Sequence, residues 1–149
     1  MTKKNLNDSL SVITAAAQMC TCIDDHKGGC TLKILIIGSG AKEHALTWMF
    51  SKSRRISGLY VAPGNAGTDL LGTNLSHIDP ADAQAVLEAC ETYRIDYVFA
   101  GTETPLAAGV TDEVKKAGYP VFGASKSSQK LESDRGFARS FMTRYNIPH

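Results

Sequence analysis

The chain has 149 residues, 43% of them hydrophobic and 21% charged, and 16 Lys plus Arg against 15 Asp plus Glu give a formal net charge of +1. That length suits one core and is short for two. The composition excludes wholesale disorder, and the balanced charge gives no support to nucleic acid or a membrane surface as partner.

Residues 1–31 differ from the rest, being polar and Ala-rich with Gly28-Gly29 before the first clear strand. They are expected to form a flexible N-terminal extension, with one helix around residues 8–19. Its stretch "LSVITAAAQMC" is short for a signal peptide and broken by Ser and Thr. Asp8, Asp24 and Asp25, with no Arg before Arg54, argue against a transit peptide. No apolar run reaches the length of a membrane span, so the expected location is the cytoplasm. Cys20, Cys22, His26 and Cys30 offer four metal-ligand types, but their spacing matches none of the usual paired patterns. Reduced thiols in a leader are the preferred reading, and no metal site is assigned.

From residue 32 onward strands and helices alternate. "LKILIIG" is apolar nearly throughout, as a strand covered on both faces should be. A helix is expected from Lys42 to Lys52, with Leu46, Met49 and Phe50 at helical spacing beside Ala45. A second strand runs from Leu59 to Ala62, stopped by Pro63 and Gly64, and a weaker extended piece lies near Leu75 to Ile78. The next helix takes Asp79 as N-cap and Pro80 as its first residue; Cys90 falls on its buried face as core filler. "DYVFAG" is a further buried strand. Pro105 to Ala117 reads as one helix closed by Gly118, followed by the short strand in "YPVFG". Helices over Ser125 to Glu132 and Asp134 to Tyr145 complete the series. This alternation predicts right-handed crossovers and an open, doubly wound parallel α/β sheet.

In such a sheet ligands gather beyond the carboxyl ends of the strands, where strand order reverses. The loops there are Gly38-Ser39-Gly40-Ala41, Pro63-Gly64-Asn65-Ala66-Gly67 and Gly101-Thr102-Glu103-Thr104-Pro105. The first can bring backbone N–H groups and a helix N-terminus to an anion. Glu43 stands where a dinucleotide fingerprint has its third glycine, and the second strand ends in Val61-Ala62-Pro63 with no acidic residue for a ribose diol. A nicotinamide or flavin dinucleotide is therefore disfavoured. Glu43 and His44 read equally well as a helix-terminal carboxylate with a packed histidine or as polar contacts to a ligand over the loop.

"GSGAKEHA" at 38–45, "VAPGNAG" at 61–67, "GTETPLAAGVTDEV" at 101–114 and "VFGASKSSQKLESDRGFARSFMTRYNIP" at 121–148 together resemble the N-terminal domain of phosphoribosylamine-glycine ligases, also called glycinamide ribonucleotide synthetases. The resemblance covers Leu32 to Pro148 in order. It implies a Rossmann-like, pre-ATP-grasp fold over residues 32–149 and a part in joining glycine to 5-phosphoribosylamine in purine biosynthesis. ATP and Mg are implied for the full-length enzyme, with glycyl phosphate as intermediate. The ATP-grasp domains of the same enzyme are expected to lie outside this chain, which is expected to be inactive alone and to bind no cofactor. Small molecules, phosphoribosylamine and glycine, are the implied partners.

Carried over by position, the resemblance sets substrate against Gly38, Ser39, Gly40, Glu43 and His44, with Gly64, Asn65 and Glu103 completing the crevice. No catalytic residue is assigned. The family reads "REHA" where Lys42-Glu43-His44-Ala45 stands, "GPE" where Gly101-Thr102-Glu103 stands, and "GSK" where Ser133-Asp134-Arg135 stands, so Arg135 takes the place of a lysine expected to approach ATP. The alternative function is a stand-alone sugar-phosphate or nucleotide-binding module with the Cys-rich leader as a regulatory element.

Overall fold

The computed structural model describes residues 31–148; the expected helix around residues 8–19 and the Cys20, Cys22, His26, Cys30 group lie outside the described residues. From residue 32 the elements are β1 (Leu32–Gly38), α1 (Ala41–Ser51), β2 (Ile56–Pro63), α2 (Ala66–Asp69), β3 (Thr73–Asn74), α3 (Ala83–Tyr93), β4 (Tyr97–Ala100), α4 (Glu103–Ala108), α5 (Val110–Lys116), β5 (Val121–Phe122), α6 (Lys126–Ser133) and α7 (Arg135–Arg144). The five strands form one parallel sheet in the order β3-β2-β1-β4-β5. The chain order therefore reverses between β1 and β4, as a doubly wound sheet requires.

The apolar run of β1 is explained by burial on both sides. Leu35 and Ile37 enter a cluster with Val86, Ala89 and Cys90 of α3, Val98 and Ala100 of β4, and Val110 and Val114 of α5. Ile34 and Ile36 join Leu59 and Val61 of β2 on the opposite face, against Leu46 and Phe50 of α1. Side chains alternate across a strand, so one strand feeds both layers. That second layer is narrower than the sheet. Phe99 meets Phe50 edge to face at 5.7 Å and stacks on Phe122 at 4.5 Å, and Phe122 is left 55% exposed.

Several elements depart from their sequence reading. α1 begins and ends one residue earlier than expected, and its buried positions are Glu43 and Thr47, with Leu46 and Phe50 half-buried. Met49 is 51% exposed and Trp48 55% exposed; Lys52 Nζ sits 5.2 Å from the Trp48 ring centroid. Apolar spacing located the helix but set Met49 on its inward face, which instead carries Glu43 and Thr47, two polar residues with local hydrogen-bond partners. The second strand is longer than predicted, extending over Ile56–Pro63. The weak strand lies at Thr73–Asn74, and Leu75 and Ile78 are core residues beyond it.

Asp79 does not cap α3. Its Oδ1 accepts from Ala81 N at 2.8 Å in a preceding turn, and Asp82 is the N-cap, accepting from Gln84 N at 2.9 Å and Ala85 N at 3.3 Å. Both aspartates are cap types, and the helix starts at the later one. α3 ends on Arg94 in the left-handed region at φ 54°, with Ile95 N donating to Cys90 O at 2.9 Å. The helix expected over Pro105 to Ala117 is broken into α4 and α5 at Gly109, whose φ of 88° ends one helix and starts the next. α6 and α7 start one residue after their expected bounds, because Ser125 and Asp134 are their N-caps, accepting from Ser128 N at 3.2 Å and Phe137 N at 2.9 Å. Among the described residues no helix is long and apolar enough to cross a membrane.

Candidate functional site: the carboxyl edge of β1, β2 and β4

Three loops meet where β1, β2 and β4 end. Gly64 N donates to Gly38 O at 3.2 Å, joining the loop after β2 to the end of β1. Thr102 Oγ1 donates to Ile37 O at 3.4 Å, joining the loop after β4 to the same strand end. Gly38 and Gly64 adopt φ values of 137° and 78°, which L side chains rarely accept.

Glu43 lies beneath the first loop. It is 1% exposed, and its Oε2 accepts from Gly40 N at 2.9 Å, the reciprocal arm of a capping box on α1. A Cβ on Gly38 would come within 2.8 Å of Glu43 Cδ. The third glycine of a dinucleotide loop is absent because a carboxylate occupies the space it would leave.

Asn65 holds the same loop from the other side. Its Nδ2 donates to Ser39 O at 2.8 Å and to Gly40 O at 3.4 Å, while its Oδ1 accepts from Gly67 N at 2.8 Å and Thr68 N at 3.0 Å as the N-cap of α2. The carbonyl of Ser39 and the N–H of Gly40 belong to one trans peptide and point in opposite directions. Asn65 takes one edge of that peptide and Glu43 the other, so its plane is fixed. The N–H groups of Ser39, Ala41 and Lys42 have no hydrogen bond to a described residue, and all three residues are exposed at the N-terminus of an eleven-residue helix.

His44 is exposed and lies flat against the second loop: a Cβ on Gly67 would stand 2.5 Å from His44 Cε1 and 2.7 Å from Nδ1. Gly67 is thus the vacancy that admits the imidazole. Glu103 opens α4, exposed, and its carboxylate has no hydrogen bond or ion pair to any described residue.

Of the residues singled out in the sequence, the structure therefore gathers Gly38, Ser39, Gly40, Glu43, His44, Gly64 and Asn65 around one clamped peptide, with Glu103 on the adjoining loop. Glu43 and Asn65 use their polar atoms within the protein. Arg135 stands apart. It lines a shallow recess of about 350 Å³ with Ala138, Arg139 and Met142 of its own helix, and α7 makes its main contacts with α6. Thr68 and Asn74 escaped the sequence reading: Asn74 Nδ2 donates to Asn65 O at 2.8 Å, and Thr68 Oγ1 accepts from Asn65 N at 2.8 Å. The Asn65-x-x-Thr68 spacing is itself a capping-box pattern that could have revealed half of this.

Cys90 is fully buried in the core, and burial pushes its thiol up to about 11, with Glu91 adding to the shift. Among the described residues no group of three or more His, Cys, Asp and Glu could hold a metal ion.

An open parallel sheet whose order reverses at β1/β4, with a glycine loop and a helix N-terminus at the reversal, defines a Rossmann-like α/β domain with its ligand edge at the strand ends. The matching family model is that of the phosphoribosylglycinamide synthetase N domain, over residues 32–132. The chain belongs to this family. It is similar to the phosphoribosylamine–glycine ligase of Neisseria meningitidis serogroup A, at 43% identity over 117 residues that make up 78% of this chain and 27% of that enzyme. The enzyme of the same name from Agrobacterium fabrum is likewise 43% identical, with the same coverage. The crystal structure of phosphoribosylamine–glycine ligase from Thermotoga maritima superposes with a TM-score of 0.54 at 29% identity, covering 77% of this chain and 25% of that one. The chain thus spans about a quarter of the length of the relatives it matches.

Proposed function

We propose that residues 32–149 form the substrate-binding domain of an ATP-dependent ligase that joins glycine to 5-phosphoribosylamine, giving glycinamide ribonucleotide in purine biosynthesis. The observation that carries this reading is the clamped Ser39–Gly40 peptide. With its two edges held by Asn65 and Glu43, the loop keeps one conformation and leaves the N–H groups of Ser39, Ala41 and Lys42 free for a single phosphate. His44, packed on Gly67, and the unpartnered carboxylate of Glu103 are then the side chains assigned to the ribose and its amine. Gly38, Gly40 and Gly64 contribute close backbone approach. Glu43 and Asn65 serve the substrate by holding the loop.

No bond-making group is assigned among these residues. ATP, Mg and glycine belong to the ATP-grasp domains of the longer enzyme, the implied partners of this domain. Arg135 is assigned to ATP contact in that enzyme, and the cytoplasm is the assigned location.

A two-dimensional NMR titration of this chain with glycinamide ribonucleotide, the stable product, tests the proposal, with NAD and ATP as controls. Shifts of the amides of Gly38 to His44, Asn65 and Glu103 with the ribonucleotide alone are expected. Shifts at the same amides with NAD instead overturn the choice of ligand and favour a stand-alone nucleotide-binding module.

A further inference from the structure

The loop residues Ser39 and Gly40 are held by Asn65, and Asn65 is itself held from behind. β3 pairs with β2 through Val61↔Asn74, and Leu75 N donates to Val61 O at 2.8 Å, which fixes the register of this two-residue strand. The register delivers the Asn74 amide beneath the loop after β2. There Nδ2 donates to Asn65 O at 2.8 Å, and Oδ1 accepts from Thr68 Oγ1 at 2.7 Å. Thr68, fully buried, accepts the Asn65 N–H at 2.8 Å through the same hydroxyl. Both backbone polar groups of Asn65 are thereby tied to side chains of α2 and β3.

Gly64 completes the packing. At its φ of 78° a Cβ would collide with the Asn74 side chain and come within 2.9 Å of Thr68 Oγ1. The Gly64-Asn65 turn therefore rests directly on these two residues. The chain of hydrogen bonds runs from Asn74 and Thr68 to the Asn65 backbone, and from the Asn65 side chain to Ser39 O and Gly40 O.

We infer that Asn74 and Thr68 are positioning residues for the ribonucleotide loop, acting through Asn65 without touching ligand. The inference rests on the reading of these loops as the ribonucleotide site. Its consequence is that the orientation of the Ser39–Gly40 peptide, and so the aim of the free N–H groups beside it, is set by an edge strand two strands away from the switch point. With its backbone held by these two residues, the Asn65 side chain can turn toward a ligand only by giving up its bonds to Ser39 O, Gly40 O, Gly67 N and Thr68 N.

The test uses this chain with Asn74→Asp, which keeps shape and loses the Nδ2 donor, and the pair Thr68→Val and Thr68→Ser, of which only the serine keeps the hydroxyl. Val114→Ala, a remote core change, controls for general loosening. Two quantities are read: hydrogen exchange of the Asn65 side-chain amide in the free protein, and affinity for glycinamide ribonucleotide by NMR titration. Asn74→Asp and Thr68→Val are expected to speed the Asn65 exchange and weaken binding about tenfold or more, while Thr68→Ser stays close to wild type. If Asn74→Asp fails to fold, the threonine pair carries the comparison. Unchanged exchange and affinity in Thr68→Val overturn the inference, as does an equal loss of affinity in Val114→Ala. Faster exchange with no binding even in the wild type upholds the positioning role and overturns the ribonucleotide reading instead.

Discussion

Replacing Glu43 by alanine removes the hydrogen bond to Gly40 N and the packed stem beneath Gly38. A hydrogen bond to a charged acceptor contributes about 1.5–3 kcal/mol net. The lower end applies here, because Gly40 is exposed and its N–H can regain water. The buried stem adds about 0.8 kcal/mol for its lost methylene. The sum is about 2–3 kcal/mol, which at a urea slope of about 1.5 kcal/mol per M lowers the unfolding midpoint by about 1.5–2 M. Glu43→Gln keeps the stem and one acceptor oxygen, so its cost is about 1 kcal/mol and its shift about 0.5 M or slightly more. Urea unfolding followed by circular dichroism measures both. An alanine variant within about 0.3 M of wild type, or a glutamine variant as damaging as alanine, would refute the view that this carboxylate clamps the loop.

Glu103→Ala, at an exposed position without a partner, should change stability by no more than about 0.5 kcal/mol and still abolish ribonucleotide binding in the NMR titration. Gly109→Ala forces a side chain into φ 88° and should cost about 1–2 kcal/mol in urea unfolding. Arg94→Gly relieves a non-glycine left-handed cap at φ 54° and should stabilise by about 0.5–1 kcal/mol in the same assay. Cys90, whose thiol is raised from 9.0 to about 11 by burial, should resist alkylation at pH 8 in the folded chain and react once unfolded, as peptide mass spectrometry would reveal. Its folded pKa lies above the unfolded one, so its contribution to stability is complete below pH 9 and is lost as pH rises toward 11. Unfolding midpoints of Cys90→Ala should lack that part of the alkaline decline.

The sheet was legible because β1 and β4 bury side chains on both faces, and such strands read as unbroken apolar runs. The loops followed from the sheet, since their composition stands out only once the carboxyl edge is known. The inward face of α1 was not legible: Glu43 and Thr47 are buried with short-range partners, Gly40 N at 2.9 Å and Glu43 O at 2.6 Å, and hydropathy cannot register that satisfaction. Asp79 and Asp82 are chemically equal candidates for a cap, separated only by where the chain comes down on the core at Val86. Asn74 was missed for a related reason. Its role depends on the pairing register of β3 with β2, a non-local fact that no window of neighbouring residues contains.

The strand lengths across the sheet have a separate consequence. β1 and β2 run for seven and eight residues in the middle, whereas β3 and β5, the outermost strands, have two each. Each outermost strand itself therefore offers a foreign chain only one or two main-chain donors and acceptors on its free side. Border strands this short give little template for edge-to-edge pairing between molecules.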